Sequence, residues 1–122
     1  MAQSRGSGER RLALRKGHWS ETKAAFFLRF KGYRIVARNF RVKSGEIDII
    51  ARKGDLVAFV EVKARNDPGT AVDAVGYQSM QRIRAAAGAW LSRQPDAGAL
   101  SLRFDIVAIA PGRLPVHLMD AF

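Results

Sequence analysis

Two stretches, EIDIIAR at residues 46–52 and LVAFVEVKAR at residues 56–65, decide the fold. Both are rich in β-branched and aromatic residues, and Lys53-Gly54-Asp55 between them is a turn signal, so together they read as a β-hairpin. A two-residue loop at Gly54-Asp55 sets Lys53 opposite Leu56 and makes the residue numbers of every cross-strand pair sum to 109. Asp48 then faces Glu61, Glu46 faces Lys63, and the side-chain period of two puts all four on one sheet face. A bulge of one residue would instead send Asp48 to the other face. Directly opposed carboxylates have Cβ atoms ~4.5–5.5 Å apart, and Glu61 is flanked by Val60 and Val62. Such a pair is costly unless a cation or a shared proton relieves it.

A hard divalent cation does so. Mg²⁺, or Mn²⁺ in its place, takes oxygen ligands and binds one or two carboxylates together with waters and a substrate phosphate. Asp48 and Glu61 are therefore candidate metal ligands, and Lys63 a candidate for positioning the attacking water and stabilising the transition state of phosphodiester hydrolysis. An acid two positions before a lysine is also common on solvated strands. Taken alone, the carboxylate pair favours structural salt bridges.

Outward from the hairpin, the pattern from Gly17 is helical, with Trp19, Ala24, Phe27 and Leu28 expected inward, Ser20 as N-cap and Gly32 as the stop. Residues 33–41 alternate as a strand, with Tyr33, Ile35 and Ala37 on one side, and a basic loop follows at residues 41–45. After Asp67-Pro68-Gly69, a second helix is expected to bury Val72, Val75, Ser79, Ile83, Ala86, Ala87 and Trp90, ending by Pro95. Residues 102–110 read as a buried strand and residues 116–119 as a short last one. The order is helix, three strands, helix, strand, strand, an α/β class with a mixed central sheet flanked by helices. Residues 1–16 read as a flexible basic arm and residues 17–122 as the single folded domain.

Composition narrows the function. The 122 residues hold no cysteine, which excludes disulfides, thiolate metal sites and cysteine nucleophiles and points to the cytoplasm. The longest apolar runs fall far short of the ~20 residues that span a bilayer, so no membrane partner is expected. Lys and Arg number 21 against 11 acids, a net charge of +10, and the whole surplus lies in residues 1–65. So uneven a field draws polyanions, DNA or RNA through their phosphates above all. Arg38, Arg41, Lys43 and Arg65, with Arg34, Arg52 and Lys53, crowd the strands and loops around the carboxylates and are candidates to line a nucleic-acid groove.

Residues 45–51 (GEIDIIA) and 55–65 (DLVAFVEVKAR) closely resemble the YraN family. The likeness runs from about Gly17 to Ile109 and includes Glu21, Ala24-Ala25, Gly32-Tyr33, Arg38-Asn39-Phe40-Arg41 and Arg103-Phe104-Asp105-Ile106. It implies a restriction-endonuclease-like fold with a PD-(D/E)XK-type site, related more distantly to Holliday-junction resolvases. Asp48, Glu61 and Lys63 match that motif. Glu21 matches an acid that completes the metal site, and Ser44 matches a loop serine of the resolvase branch. Resolvase-like relatives act as dimers, so a homodimer is among the expectations. Two departures stand out: Ile47 replaces the motif proline, and residues 77–81 (YQSMQ) lack the lysine that family members often carry near the start of the second helix.

The expectation is a Mg²⁺-dependent endonuclease-like phosphodiester hydrolase acting on DNA, including branched DNA, or on RNA. A non-catalytic nucleic-acid-binding module with the same fold is the alternative, and an adaptor whose basic arm meets an acidic protein is a third. His18 and His117 are read as surface or capping residues, and Asp105 as the partner of Arg103 rather than a support for Lys63. Trp19, Phe26, Phe27 and Trp90 are read as core residues and not as base-stacking groups.

Overall fold

The hairpin closes with the turn its sequence demands. Lys53 pairs with Leu56 across Gly54-Asp55, and Gly54 takes a φ of +61°, a conformation open to glycine at no steric cost. Around it the computed structural model describes residues 19–65 and 75–122. The chain runs through helix α1 (residues 19–30), strands β1 (Arg34–Val42), β2 (Gly45–Lys53) and β3 (Leu56–Ala64), helix α2 (Tyr77–Leu91), a short 3-10 turn (Ala97–Ala99), β4 (Ser101–Ile109) and β5 (Val116–Leu118). The expected arm at residues 1–16, as well as His18 and Val72, lies outside the described residues. No helix among the described residues is long and apolar enough to cross a membrane.

The strands form one mixed sheet in the order β1-β2-β3-β4-β5. Neighbours are antiparallel except β3 and β4, which run parallel and need the crossover that contains α2. Two helices and a mixed five-stranded sheet in this order are the α/β arrangement expected from the hairpin outward. One face of the sheet packs Ile49, Ala51, Ala58, Val60, Val107 and Ile109 against Ala24, Ala25 and Leu28 of α1. The other packs Ile47, Ile50, Val57 and Phe59 against Ile83, Ala86, Ala87 and Trp90 of α2. Phe59 is fully buried, edge-on to Trp90 at 5.8 Å and stacked on Phe104 at 5.4 Å.

Gly32 ends α1 as expected. With φ at +95° it lets its own N–H reach Arg29 O and the Tyr33 N–H reach Leu28 O, both at 3.0 Å, the paired bonds of a Schellman stop. The inward face of α1 differs from the expectation. Ser20, Ala24, Ala25 and Leu28 are buried, whereas Trp19, Phe26 and Phe30 are exposed. Small residues let the helix axis lie close to the sheet, and large rings at the neighbouring positions are turned out to solvent. On α2, Ser79 is likewise exposed and the helix begins only at Tyr77.

Strand β1 departs from simple alternation. A bulge between Ile35 and Ala37 moves Ile35 to the α1 side and Ala37 to the α2 side, so the two do not share a face. The basic loop is shorter than expected, because Val42 pairs with Gly45 and leaves only Lys43-Ser44 as the turn.

Candidate functional site

From Lys53↔Leu56 the β2–β3 ladder holds the expected register up to Ile49↔Val60 and stops there. Asp48 and Glu61, next in that register, are not a ladder pair. Instead the Val62 N–H donates to Asp48 Oδ2 at 2.8 Å, so the carboxylate occupies the seam where the two strands part. Opposite, the β1–β2 ladder also skips one step, between Arg38↔Ile49 and Phe40↔Ile47, at Asn39 with its φ of +51°. Ile47 and Ile49, two residues apart, consequently pack on opposite faces of the sheet. The expectation of four side chains on one face of a continuous ladder is thereby corrected. Glu61 and Lys63 share the pleat of Phe59, and Asp48 meets them from the seam.

The two carboxyl groups nevertheless come together. Burial, then the charge of Glu61, push Asp48 up from 3.8 to about 7, with Glu21 adding to the rise and the Val62 N–H and Lys63 opposing it. Glu61 is raised as well, by burial and then Glu46, against Lys63 and a hydrogen bond shared with Asp48. Lys63 Nζ stands 3.2 Å from Glu61 Oε1. Asp48 of β2, Glu61 and Lys63 of β3, and Glu21 of α1 thus act on one another at one end of the sheet. Among the described residues no three Asp, Glu or His side chains close on one point at metal-ligand spacing. The cluster is a carboxylate pair with Glu21 and Glu46 at longer range.

Helix α2 contributes more than sequence reasoning foresaw. Gly45, which opens β2, lies so close to α2 that an added Cβ would fall 1.9 Å from Arg82 O. Beside that contact, Glu46, Glu61, Ser79, Arg82 and Ile83 line a pocket of about 50 Å³. Arg82 therefore lines the same pocket as Glu61, directly after the segment where a lysine is missing. Gly45, the first residue of the motif strand, is the available signal, since a glycine in a strand marks a close backbone approach.

The expected nucleic-acid residues divide. Arg41, Lys43, Ser44 and Arg65 are exposed at the carboxylate end of the sheet, and Arg41 Nε lies 3.5 Å from Glu46 Oε2. Arg38 is half-buried and ties β1 to α1 through Thr22 Oγ1 at 3.1 Å, while its buried Nε has no partner. Arg52 and Lys53 sit at the opposite end, where Arg52 pairs with Asp96 at 3.0 Å and Lys53 donates to Lys31 O at 3.0 Å. They do not line a groove near the carboxylates.

His117 is not the surface residue expected. Its side chain is buried, with Nε2 2.7 Å from Asp105 Oδ2 and Nδ1 2.6 Å from Lys31 Nζ. Asp105, completely buried, also accepts from Arg103 Nε and Nη2 at 2.8 Å and from the Asp120 N–H at 3.0 Å. Burial alone would raise it; the hydrogen bonds of His117, Arg103 and Asp120 outweigh that and bring it down to about 2. As expected, Asp105 partners Arg103 and not Lys63.

The model of the uncharacterised protein family UPF0102 matches residues 20–109. The chain belongs to that family. It is 61% identical to the UPF0102 protein of Agrobacterium fabrum over the whole of both chains. To one from Rhizobium johnstonii it is 62% identical over 93% of each chain, and to one from Mesorhizobium japonicum 57% over 97% of this chain and 94% of the relative. The UPF0102 match contains Glu21, Asp48, Glu61, Lys63 and Arg82, and it ends with β4, before His117.

Proposed function

We propose that this chain is a divalent-metal-dependent phosphodiester hydrolase acting on nucleic acid. The observation that carries the reading is the meeting of Asp48 and Glu61 where β2 and β3 part, each carboxyl raised, with Lys63 bound to Glu61. Two half-buried carboxylates that resist ionising together are a donor set of hard oxygens, and Mg²⁺ or Mn²⁺ fits them because a cation removes their repulsion. Asp48 and Glu61 would hold the ion, with Glu21 adding negative charge from α1. When bound, the metal supplies a Lewis acid for a phosphoryl oxygen and lowers the pKa of a bound water.

The remaining roles belong to the chain itself. The Val62 N–H fixes one oxygen of Asp48 and so aims the other. Glu61 restrains the Lys63 ammonium, which stabilises negative charge developing on the phosphate and orients the attacking water. Arg41, Lys43, Ser44 and Arg65 take flanking phosphates of DNA or RNA, and Arg82 does so from α2.

Calorimetric titration with Mn²⁺ of the wild type and Asp48→Asn tests the centre, followed by cleavage assays on branched and single-stranded substrates. Metal binding lost in Asp48→Asn and metal-dependent cleavage abolished by Glu61→Ala are the expected results. Equal metal binding by wild type and Asp48→Asn would overturn the site. Metal binding with no cleavage, and salt-sensitive nucleic-acid binding that survives Glu61→Ala, would make the chain a binding module instead.

A further inference from the structure

Helix α1 carries a second surface that the carboxylate centre does not use. Trp19, Phe26 and Phe30 are 60%, 64% and 92% exposed. At about 100° per residue they fall, with Lys23, inside a stripe about 60° wide along the side of α1 opposite Leu28, running about 16 Å from Trp19 to Phe30. Cations lie over one face of two of the rings: Lys23 Nζ is 5.6 Å from the Trp19 ring centre, and the Arg29 guanidinium is 5.7 Å from that of Phe26. The only acid between residues 19 and 30 is Glu21, which lies on the inward side of the helix and acts on Asp48.

We propose that this outward face of α1 is a stacking platform for single-stranded nucleic acid. Exposed rings in a row offer π-faces to successive bases, and the ammonium and guanidinium groups between them match the phosphates, the combination that holds single strands without reading their sequence. Charge argues against a second copy of the chain in that place. A two-fold contact through this stripe would set Lys23 and Arg29 of one protomer against the same residues of its partner, with no carboxylate on this side of residues 19–30 to pair them. The proposal rests on the nucleic-acid half of the function argued above and is independent of its hydrolytic half. It gives that reading a substrate class: a nucleic acid with an unpaired strand leaving the carboxylate end of the sheet along α1.

The test is fluorescence titration of the full chain with a short oligothymidylate and with a blunt duplex of the same length. Trp90 is buried, so Trp19 is the indole the oligonucleotide reaches. Quenching of its emission by oligothymidylate is expected, and Phe26→Ala combined with Phe30→Ala should weaken that affinity about tenfold or more while leaving duplex affinity and the thermal melt unchanged. Unchanged oligothymidylate affinity in the double variant would overturn the proposal. So would sedimentation equilibrium showing a wild-type dimer that the double variant splits. Equal Mn²⁺ binding by Asp48→Asn and the wild type, with Trp19 quenching retained, would remove the hydrolytic reading and leave this one standing.

Discussion

Asp48 is the residue whose charge state ties stability to function. Its folded value near 7 lies above the ordinary 3.8, so between those values the native state binds more protons than the unfolded chain. Stability of the metal-free protein is therefore highest in mild acid and is lost as pH rises through about 7. The shift spans about three units, and at about 1.4 kcal/mol per unit the loss is at most about 4 kcal/mol, with solvent screening of a half-buried group reducing it. Urea unfolding in chelator at about pH 4 and about pH 8, either side of that window, should show the wild type weaker at the higher pH, with a smaller pH dependence in Asp48→Asn. On the proposed function, protons and metal would compete for the same oxygens, so Mn²⁺ affinity should climb up to about tenfold per pH unit below 7 and level off above it. Asp105 behaves in the opposite sense. Its value is lowered to about 2, so its contribution is present above the unfolded value of 3.8 and disappears as pH falls toward 2. Asp105→Ala strands Arg103 and His117 and should cost about 3–5 kcal/mol in a denaturant melt at neutral pH, without altering Mn²⁺ binding at Asp48.

Between strand and helix, the contact of β2 with α2 shapes the pocket that Glu61 and Arg82 line, and two glycines separate what that contact needs from what it tolerates. Gly45→Ala forces a methyl group against the Arg82 carbonyl, and overpacking against backbone should cost about 1–3 kcal/mol and weaken metal binding by shifting β2. Gly88→Ala, inside α2 with nothing within 4 Å of the added carbon, should instead stabilise by about 0.4–1 kcal/mol. Thermal melts of the two variants should move in opposite directions. The same elements show which features were readable beforehand. The hairpin register, the Gly32 stop and the order of elements along the chain follow from local chemistry: turn residues, β-branched runs and a glycine at positive φ. The end of the ladder at Ile49↔Val60 does not, because it coincides with Asn39 in β1, a residue of another strand whose left-handed conformation no alternation pattern reveals. Trp19 and Phe26 were misplaced for a related reason. Hydrophobicity and helical period identify a face, but Ala24 and Ala25 win the inward side because close helix–sheet approach favours small residues over large rings. His117 became a core residue only through Asp105 and Lys31, partners supplied by β4 and the end of α1.

Across the sheet, the described cations near its two ends are held differently, and their placement matters more than their number. Arg52 is neutralised by Asp96 and Asp55 at the Gly54 turn, and Lys53 is spent on a backbone carbonyl of the α1 terminus. Arg41, Lys43 and Arg65 stand exposed at the other end, beside the carboxylates they would serve. On the proposed function, a phosphate backbone drawn by the general field would be retained chiefly at that end, because well-exposed cations, including Arg41 in its exposed pair with Glu46, exchange a weak surface contact for a phosphate and release counterions on binding. Each phosphate neutralised contributes about −0.7 for single strands, or −0.9 for duplex, to the slope of log K against log salt. Replacing Arg41, Lys43 and Arg65 together by alanine should therefore make that slope shallower by about 2–3 and weaken binding at every salt concentration. Replacing Arg52 and Lys53 removes two of the same positive charges but should leave the slope unchanged. Fluorescence-anisotropy titrations over a salt series compare the two variants directly, and equal slopes in both would mean that the phosphates bind to net charge and not to the carboxylate end of the sheet.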